Sequence, residues 1–273
     1  MSYTPPPGAI DTHAHIFGPE ARYPYNPDRS YTPADVTVAQ YLALLDSLGF
    51  QYGVIVQPTV YGTDNRRTAE AAAERPDRLR AVAAVSPDVS DPELDRLHAQ
   101  GVRGTRVSNM ARGGVPLEAI EAVAARVKRL GWHVLLMVNR GGLVSEMKAI
   151  LARLPVPLLV DHVAMNKVAD GFQTQALRDL LELVRQGNTW VKVSHAYGLT
   201  ATGAPYDDVA PFTRMLVETD PARVLWGSDW PHPSHRDHPP SDRVLLDAFA
   251  RAVPDERHRR TILVDNPKAL YGF

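Results

Sequence analysis

Apolar residues recur along this chain in two alternating rhythms. Short runs such as Val54-Ile55-Val56 and Pro157-Leu158-Leu159-Val160 are followed by segments whose apolar residues stand three and four apart. The first rhythm suits strands and the second suits amphipathic helices. It predicts strands at residues 9–17, 52–59, 79–86, 102–108, 133–138, 157–162, 190–195 and 224–229. Helices are expected at 38–48, 68–74, 92–99, 117–130, 143–154, 175–185, 207–218 and 242–252. Thr37-Val38-Ala39-Gln40 has capping-box spacing, and Gly49, Gly101 and Gly131 stand where helices end in a left-handed residue. Near-continuous apolar runs suit strands covered on both faces, hence parallel ones. Eightfold strand-then-helix alternation therefore predicts an α/β protein, a (β/α)8 TIM barrel forming one domain over residues 1–273. An open doubly wound sheet would call for a Gly-rich phosphate turn after the first strand, and Asp11-Thr12-His13-Ala14-His15 is not one. The proline-rich stretches at 5–7 and 231–240 read as an arm and a loop.

The polar residues break this pattern in one place, the C-terminal ends of the strands. The first strand carries His13 and His15, the second ends in Gln57-Pro58-Thr59 with Tyr61 beyond, and the fourth ends in Arg106-Val107-Ser108-Asn109. The fifth runs into Asn139, the sixth into Asp161-His162, the seventh into Ser194-His195-Ala196-Tyr197, and the eighth into Ser228-Asp229-Trp230-Pro231-His232. In a barrel these ends converge on one mouth, where active sites of this fold lie. His13 and His15 are two apart on a strand, so both imidazoles point the same way and can grip a metal or polarise one carbonyl. Asp229, at the last strand end, can take a proton from water or ligate a metal; its structural alternative is an N-cap. For His162 the structural alternative is a core histidine bonded to a carbonyl. Arg106 and Arg112 flank the loop after the fourth strand and suit a carboxylate or sulfonate. Thr59, Tyr61, Asn139, His195, Tyr197 and His232 complete the expected substrate-binding set. His98, His133 and His258 fall on helices or at a strand entry and read as structural or solvated.

Composition narrows the function classes. With 30 basic and 31 acidic residues the formal charge is −1, and the pI is near 6.8. No basic stripe for nucleic acid is visible, and the arginine clusters around 66, 78 and 257–260 are interleaved with acids, as on solvated helix faces. The absence of cysteine excludes disulfides, thiolate metal sites and cysteine nucleophiles. Residues 1–7 lack the basic and apolar regions of a signal peptide, and no apolar stretch reaches the ~18 residues of a membrane span. A cytoplasmic protein with a small-molecule partner, no nucleic acid and no membrane is expected. Nothing in the pattern specifies an oligomeric state.

These motifs resemble the amidohydrolase superfamily, in which the first strand carries His-x-His, the sixth a histidine and the eighth an aspartate. His13-Ala14-His15, His162 and Asp229 stand at those places. More narrowly, 10–18 (IDTHAHIFG), 101–106 (GVRGTR), Asp161-His162, 227–232 (GSDWPH) and 266–273 (NPKALYGF) are similar to the branch of 2-pyrone-4,6-dicarboxylate lactonase, sulfomuconolactone hydrolase and the sugar-acid lactonases. The resemblance implies a hydrolase that opens a lactone ring, with Asp229 as general base, His13, His15 and His162 polarising the carbonyl, and Arg106 and Arg112 holding a carboxylate. Further arginines of the dicarboxylate enzyme have no counterpart after His162 or beyond His195, which favours a ligand with one anionic group. The strand-four lysine and strand-five histidine of metal-rich relatives are replaced by Arg106 and Asn139, so a binuclear centre is not expected. Turnover with no required cofactor is the expectation. The alternative is a single divalent ion, Zn²⁺ or Mn²⁺, on His13, His15 and Asp229. Rival functions are a metal-dependent decarboxylase of the same superfamily and a non-catalytic sugar-acid binder.

Overall fold

Strand and helix alternate along the chain as the two rhythms require. The computed structural model describes residues 2–273. The strands are β1 (Ile10–Ala14), β2 (Tyr52–Val56), β3 (Leu79–Ala83), β4 (Val102–Ser108), β5 (His133–Met137), β6 (Leu158–Val160), β7 (Thr189–Lys192) and β8 (Val224–Leu225). All pair in parallel in the order β1 to β8. A parallel bridge between Ala14 and Trp230 closes the ring, reinforced by His15 N–H donating to the Trp230 carbonyl (2.8 Å) and Asp229 N–H to the His13 carbonyl (2.8 Å). This is a closed (β/α)8 barrel in one domain.

The helices are α1 (Val38–Leu48), α2 (Arg66–Glu74), α3 (Asp91–Ala99), α4 (Ile120–Val127), α5 (Gly142–Leu151), α6 (Gln175–Arg185), α7 (Ala196–Leu199), α8 (Ala210–Thr219), α9 (Asp242–Ala252), α10 (Glu256–Arg260) and α11 (Asn266–Tyr271). The α1 capping box forms as expected: Thr37 and Gln40 satisfy each other's backbone N–H, and Gly49 closes the helix at φ 89°. The helix expected over 117–130 is three pieces, with 3₁₀ turns at Leu117–Ala119 and Lys128–Leu130 around α4. The elements α7, α10, α11 and the π turn at Thr261–Asp265 were not anticipated. Among the described residues no helix is long and apolar enough to cross a membrane.

The largest difference from the sequence reading is strand length. β1, β2, β3, β6, β7 and β8 stop two to four residues short of their expected ends. Beyond the last three, His162 to Met165 (φ 51–55°), His195 (φ 61°) and Asp229 (φ 66°) are left-handed and stand outside the ladder. Left-handed His and Asp are tolerable, but left-handed Val163 is costly, and such residues concentrate where a site over-determines the backbone.

Ile10, Val54, Val82, Leu135, Leu159 and Leu225 fill the barrel's middle, with Tyr271 of α11 inserted below them. A register irregularity between Asp11 and Ala14 lets Ile10 and His13, an odd number of residues apart, both face this interior. Asp11 then points outward and ties β1 to β8, accepting from Ser228 N–H (2.8 Å), Ser228 Oγ (2.7 Å) and the Tyr41 hydroxyl (3.1 Å). Gly227 permits this closure: a Cβ there would sit 2.6 Å from the His13 Cβ.

Candidate active site

The strand ends bring His13, His15, His162, His195 and Asp229 together in a buried cluster at the mouth. Period-two alternation places the first two imidazoles on one face, with Nε2 of His13 and His15 at 3.5 and 3.7 Å from Asp229 Oδ1. The left-handed turns aim the others. His195 Nδ1–H and the Tyr197 hydroxyl both donate to Asp229 Oδ2, at 2.7 and 2.6 Å. The two carboxylate oxygens therefore differ: Oδ2 is taken, while Oδ1 faces the first-strand histidines. Burial alone would push the Asp229 carboxyl up, but His162, His195 and His13 overturn this and hold it well below the usual carboxylate range.

The His15 ring has a fixed tautomer. His15 Nδ1 lies 2.8 Å from the Val56 carbonyl, which can only accept, so Nδ1 carries the proton. Burial, with the neighbouring His13 and Arg106, pushes its pKa down to about 3, so Nε2 bears a lone pair. His13 Nδ1 lies 3.2 Å from Asp161 Oδ1 and 3.1 Å from Lys192 Nζ. Lys192 also donates to the Thr12 carbonyl (2.9 Å) and pairs with Asp161 (3.3 Å). Lys192 can only donate and Asp161 can only accept, so the two neighbours of His13 Nδ1 pull its proton in opposite senses, while His13 Nε2 is a buried atom with no partner. Burial drives His13 and His162 below their ordinary value. It would raise Asp161, which Lys192 and His13 instead keep well below the carboxylate range. His162 Nδ1 meets Ser194 Oγ at 2.8 Å, and its ring lies 4.8 Å from those of His13 and His195.

Above the cluster lies an open cleft of about 240 Å³, lined in part by His15, Thr59, Arg106, His162, His195 and Asp229. That volume suits a small ligand. Arg106 is buried, donates to the Gln57 carbonyl (3.2 Å), and keeps a buried Nε without a partner.

Other expected residues stand elsewhere. Tyr61 belongs to an aromatic cluster with Phe17, Tyr23 and Tyr25, where its hydroxyl accepts from Gly18 N–H (2.7 Å). Its place is structural because the turn Thr59–Tyr61 swings it away from the cleft. Arg112 is exposed, with no ion pair among the described residues, and does not line the cleft. Asn139 is exposed beside Asn109 (3.5 Å). His232 is buried against Asp242 (3.0 Å) and edge-on to Tyr197, one layer behind Asp229. Tyr197 likewise acts behind the carboxylate.

Sequence reasoning missed Lys192, Asp161 as a site residue, Ser194 and Tyr31. A lysine between Val191 and Val193 in an apolar strand was a usable signal, because lysine is almost never fully buried unless paired. Tyr31, beside Thr59 and Arg106, lies on the helix-free excursion between β1 and α1 and carried no such signal; burial pushes its hydroxyl up to about 12.

The arrangement has recognisable relatives. The amidohydrolase family model matches residues 10–273. The chain is 39% identical to a 2-pyrone-4,6-dicarboxylate hydrolase of Comamonas testosteroni, over 97% of this chain and 90% of that one. It is 37% identical to a 4-sulfomuconolactone hydrolase of Rhizobium radiobacter, over 100% and 92% of the two chains. A ligand-free crystal structure from Agrobacterium tumefaciens superposes with a TM-score of 0.91 at 29% identity, covering 99% of this chain and 97% of the other.

Proposed function

The chain belongs to the amidohydrolase family, and on that premise we propose that it is a hydrolase opening the ring of a small anionic lactone. The relatives named as lactone hydrolases support this reading. The observation that carries it is the division of labour within Asp229: Oδ2 is held by His195 and Tyr197, and Oδ1 is the free, ionised oxygen facing the cleft's histidines. Such an oxygen is a general base. It takes a proton from the attacking water as that oxygen bonds the ring carbonyl carbon. The acyl–oxygen bond of the ring then breaks, and Asp229 returns the proton to the departing oxygen. Arg106 holds the substrate's carboxylate through its unpartnered Nε–H. The partner in this reading is a small-molecule lactone met in the cytoplasm.

The neutral His15 cannot donate to a developing oxyanion through Nε2. His13, His15 and Asp229 each offer a ligand atom within 4.8 Å of the others. The orphaned His13 Nε2, backed by Asp161 on Nδ1, fits a metal ligand with an oriented ring. One divalent ion on these three residues would supply Lewis-acid polarisation of the carbonyl and a more acidic water. Arg106 is no strong obstacle, because Asp161 stands 3.9 Å from its guanidinium. The lone pair on His15 Nε2 and the unpartnered His13 Nε2 favour the ion-assisted alternative over turnover without a cofactor.

A pH-stat assay over sugar-acid lactones, muconolactones and pyrone carboxylates tests both parts. Ring opening with uptake of one base equivalent per turnover is expected. Prolonged chelation should lower kcat at least 100-fold, with recovery on stoichiometric Zn²⁺ or Mn²⁺. Undiminished turnover after chelation would restore the metal-free mechanism, and no opening of any lactone would overturn the hydrolase.

A further inference from the structure

The lining of the cleft is not uniformly polar. Met110 and Ala111, on the loop after β4, Met137, at the end of β5, and Pro233, on the loop after β8, form an apolar part of its wall, beside the histidines, Asp229 and the hydroxyls of Ser30, Tyr31, Thr59 and Ser234. Met110 is the exposed large hydrophobic residue of the described surface, at 40% exposure, and it lies in this lining. Exposed methionine at a concave site is a mark of an apolar contact surface.

Against this wall stands a single guanidinium. Arg106 is the only lysine or arginine among the lining residues, and one of its buried donors has no partner. Arg236 lies outside this lining, exposed in the outer vestibule, where it donates to the Thr32 carbonyl (3.2 Å) and stands 3.5 Å from the Asp237 carboxylate. Within the cleft, one anionic group can therefore be met by a cation. A second, placed on the methionine wall, would lose its water without gaining a cationic partner, which is strongly unfavourable.

From this we infer that the substrate is a monocarboxylated lactone bearing a compact alkyl or aryl substituent, its carboxylate on Arg106 and its apolar part on Met110 and Met137. The inference rests on the lactone reading for the reacting group, but the two ends of the ligand are read from the cleft itself. It separates this chain from relatives named for a dicarboxylate and for a sulfonated lactone.

Two measurements test it. In the first, kcat/KM is compared for one lactone ring carrying a carboxylate plus an alkyl group, a second carboxylate, or hydroxyls. The alkyl form is expected to lead by at least tenfold. The second measures, by calorimetry, binding of the matched acids that contain no lactone: an alkyl monocarboxylate, a dicarboxylate and a polyhydroxy monocarboxylate. The same order is expected, and Met110→Lys should shift the ratio at least tenfold toward the dicarboxylate. Preference for the dicarboxylate or polyhydroxy acid in the wild type, or no shift with Met110→Lys, overturns the inference. If the acids bind in the expected order while no lactone is opened, the lactone reading fails and the ligand class stands.

Discussion

Histidines are buried at both ends of this barrel, in opposite surroundings. At the mouth four rings have an Nδ1 neighbour: Lys192 and Asp161 for His13, the Val56 carbonyl for His15, Ser194 for His162 and Asp229 for His195. At the floor, His133 has no hydrogen-bond partner on either nitrogen. It packs over Gly104, where a Cβ would come within 2.4 Å, and stands edge-on to Tyr271 at 5.2 Å. Burial pushes His15 and His133 down to about 3 alike. A shifted pKa therefore does not mark function in this molecule. What separates the ends is whether the fold supplies the ring with a polar partner.

The sharpest way to break this comparison is at Asp229. Asp229→Asn should lower kcat by about 10²–10⁴, as for loss of a general base, with little change in Tm. Steady-state kinetics beside a thermal melt decide it; retention of more than about a tenth of kcat would return Asp229 to a structural role. Next comes Arg106→Met, which removes the buried charge-assisted contact, worth roughly 1.5–3 kcal/mol, and should raise KM by one to two decades. Arg112→Met, at an exposed position outside the cleft, should change KM less than about twofold. Equal effects of the two would show that the loop after β4 brings Arg112 to the substrate.

The floor offers a pH test. Native His133 stays neutral to about 3, whereas in the unfolded chain its ring takes a proton near 6.5. Between these values the unfolded state binds the extra proton, so the stability present above pH 6.5 is progressively lost as pH falls. By pH 5 this one group costs about 2 kcal/mol. His133→Phe should remove that share of the acid sensitivity in urea titrations at pH 7 and pH 5, leaving kcat at neutral pH unchanged. Identical pH dependence in wild type and variant would refute the assignment. The smallest effect is expected for Tyr61→Phe: about 1 kcal/mol of stability from the orphaned Gly18 N–H, and no change in KM.

Periodicity carried most of the fold, because a strand buried on both faces and an amphipathic helix each leave a repeating mark on the sequence. That is why eight strands, eight helices and the α1 cap were legible, and why His13 and His15 could be placed on one face. Asp229, His162 and His195 were legible as polar breaks at apolar strand ends. Tyr61 misled because its position after β2 looked like those breaks, while a 3₁₀ turn sends it into the aromatic cluster.

The sequence by itself thus determined the barrel and the meeting of His13, His15, His162, His195 and Asp229 at its mouth, since both follow from spacings of two, three and four residues that any local window contains. Only the tertiary structure decided what those residues do to one another. Lys192 reaches Asp161 and His13 from strands 31 and 179 residues away, and the Val56 carbonyl sets the His15 proton across 41 residues. Tautomers, the inequality of the two Asp229 oxygens and the methionine wall arise from contacts between distant strands and loops. No local pattern encodes them.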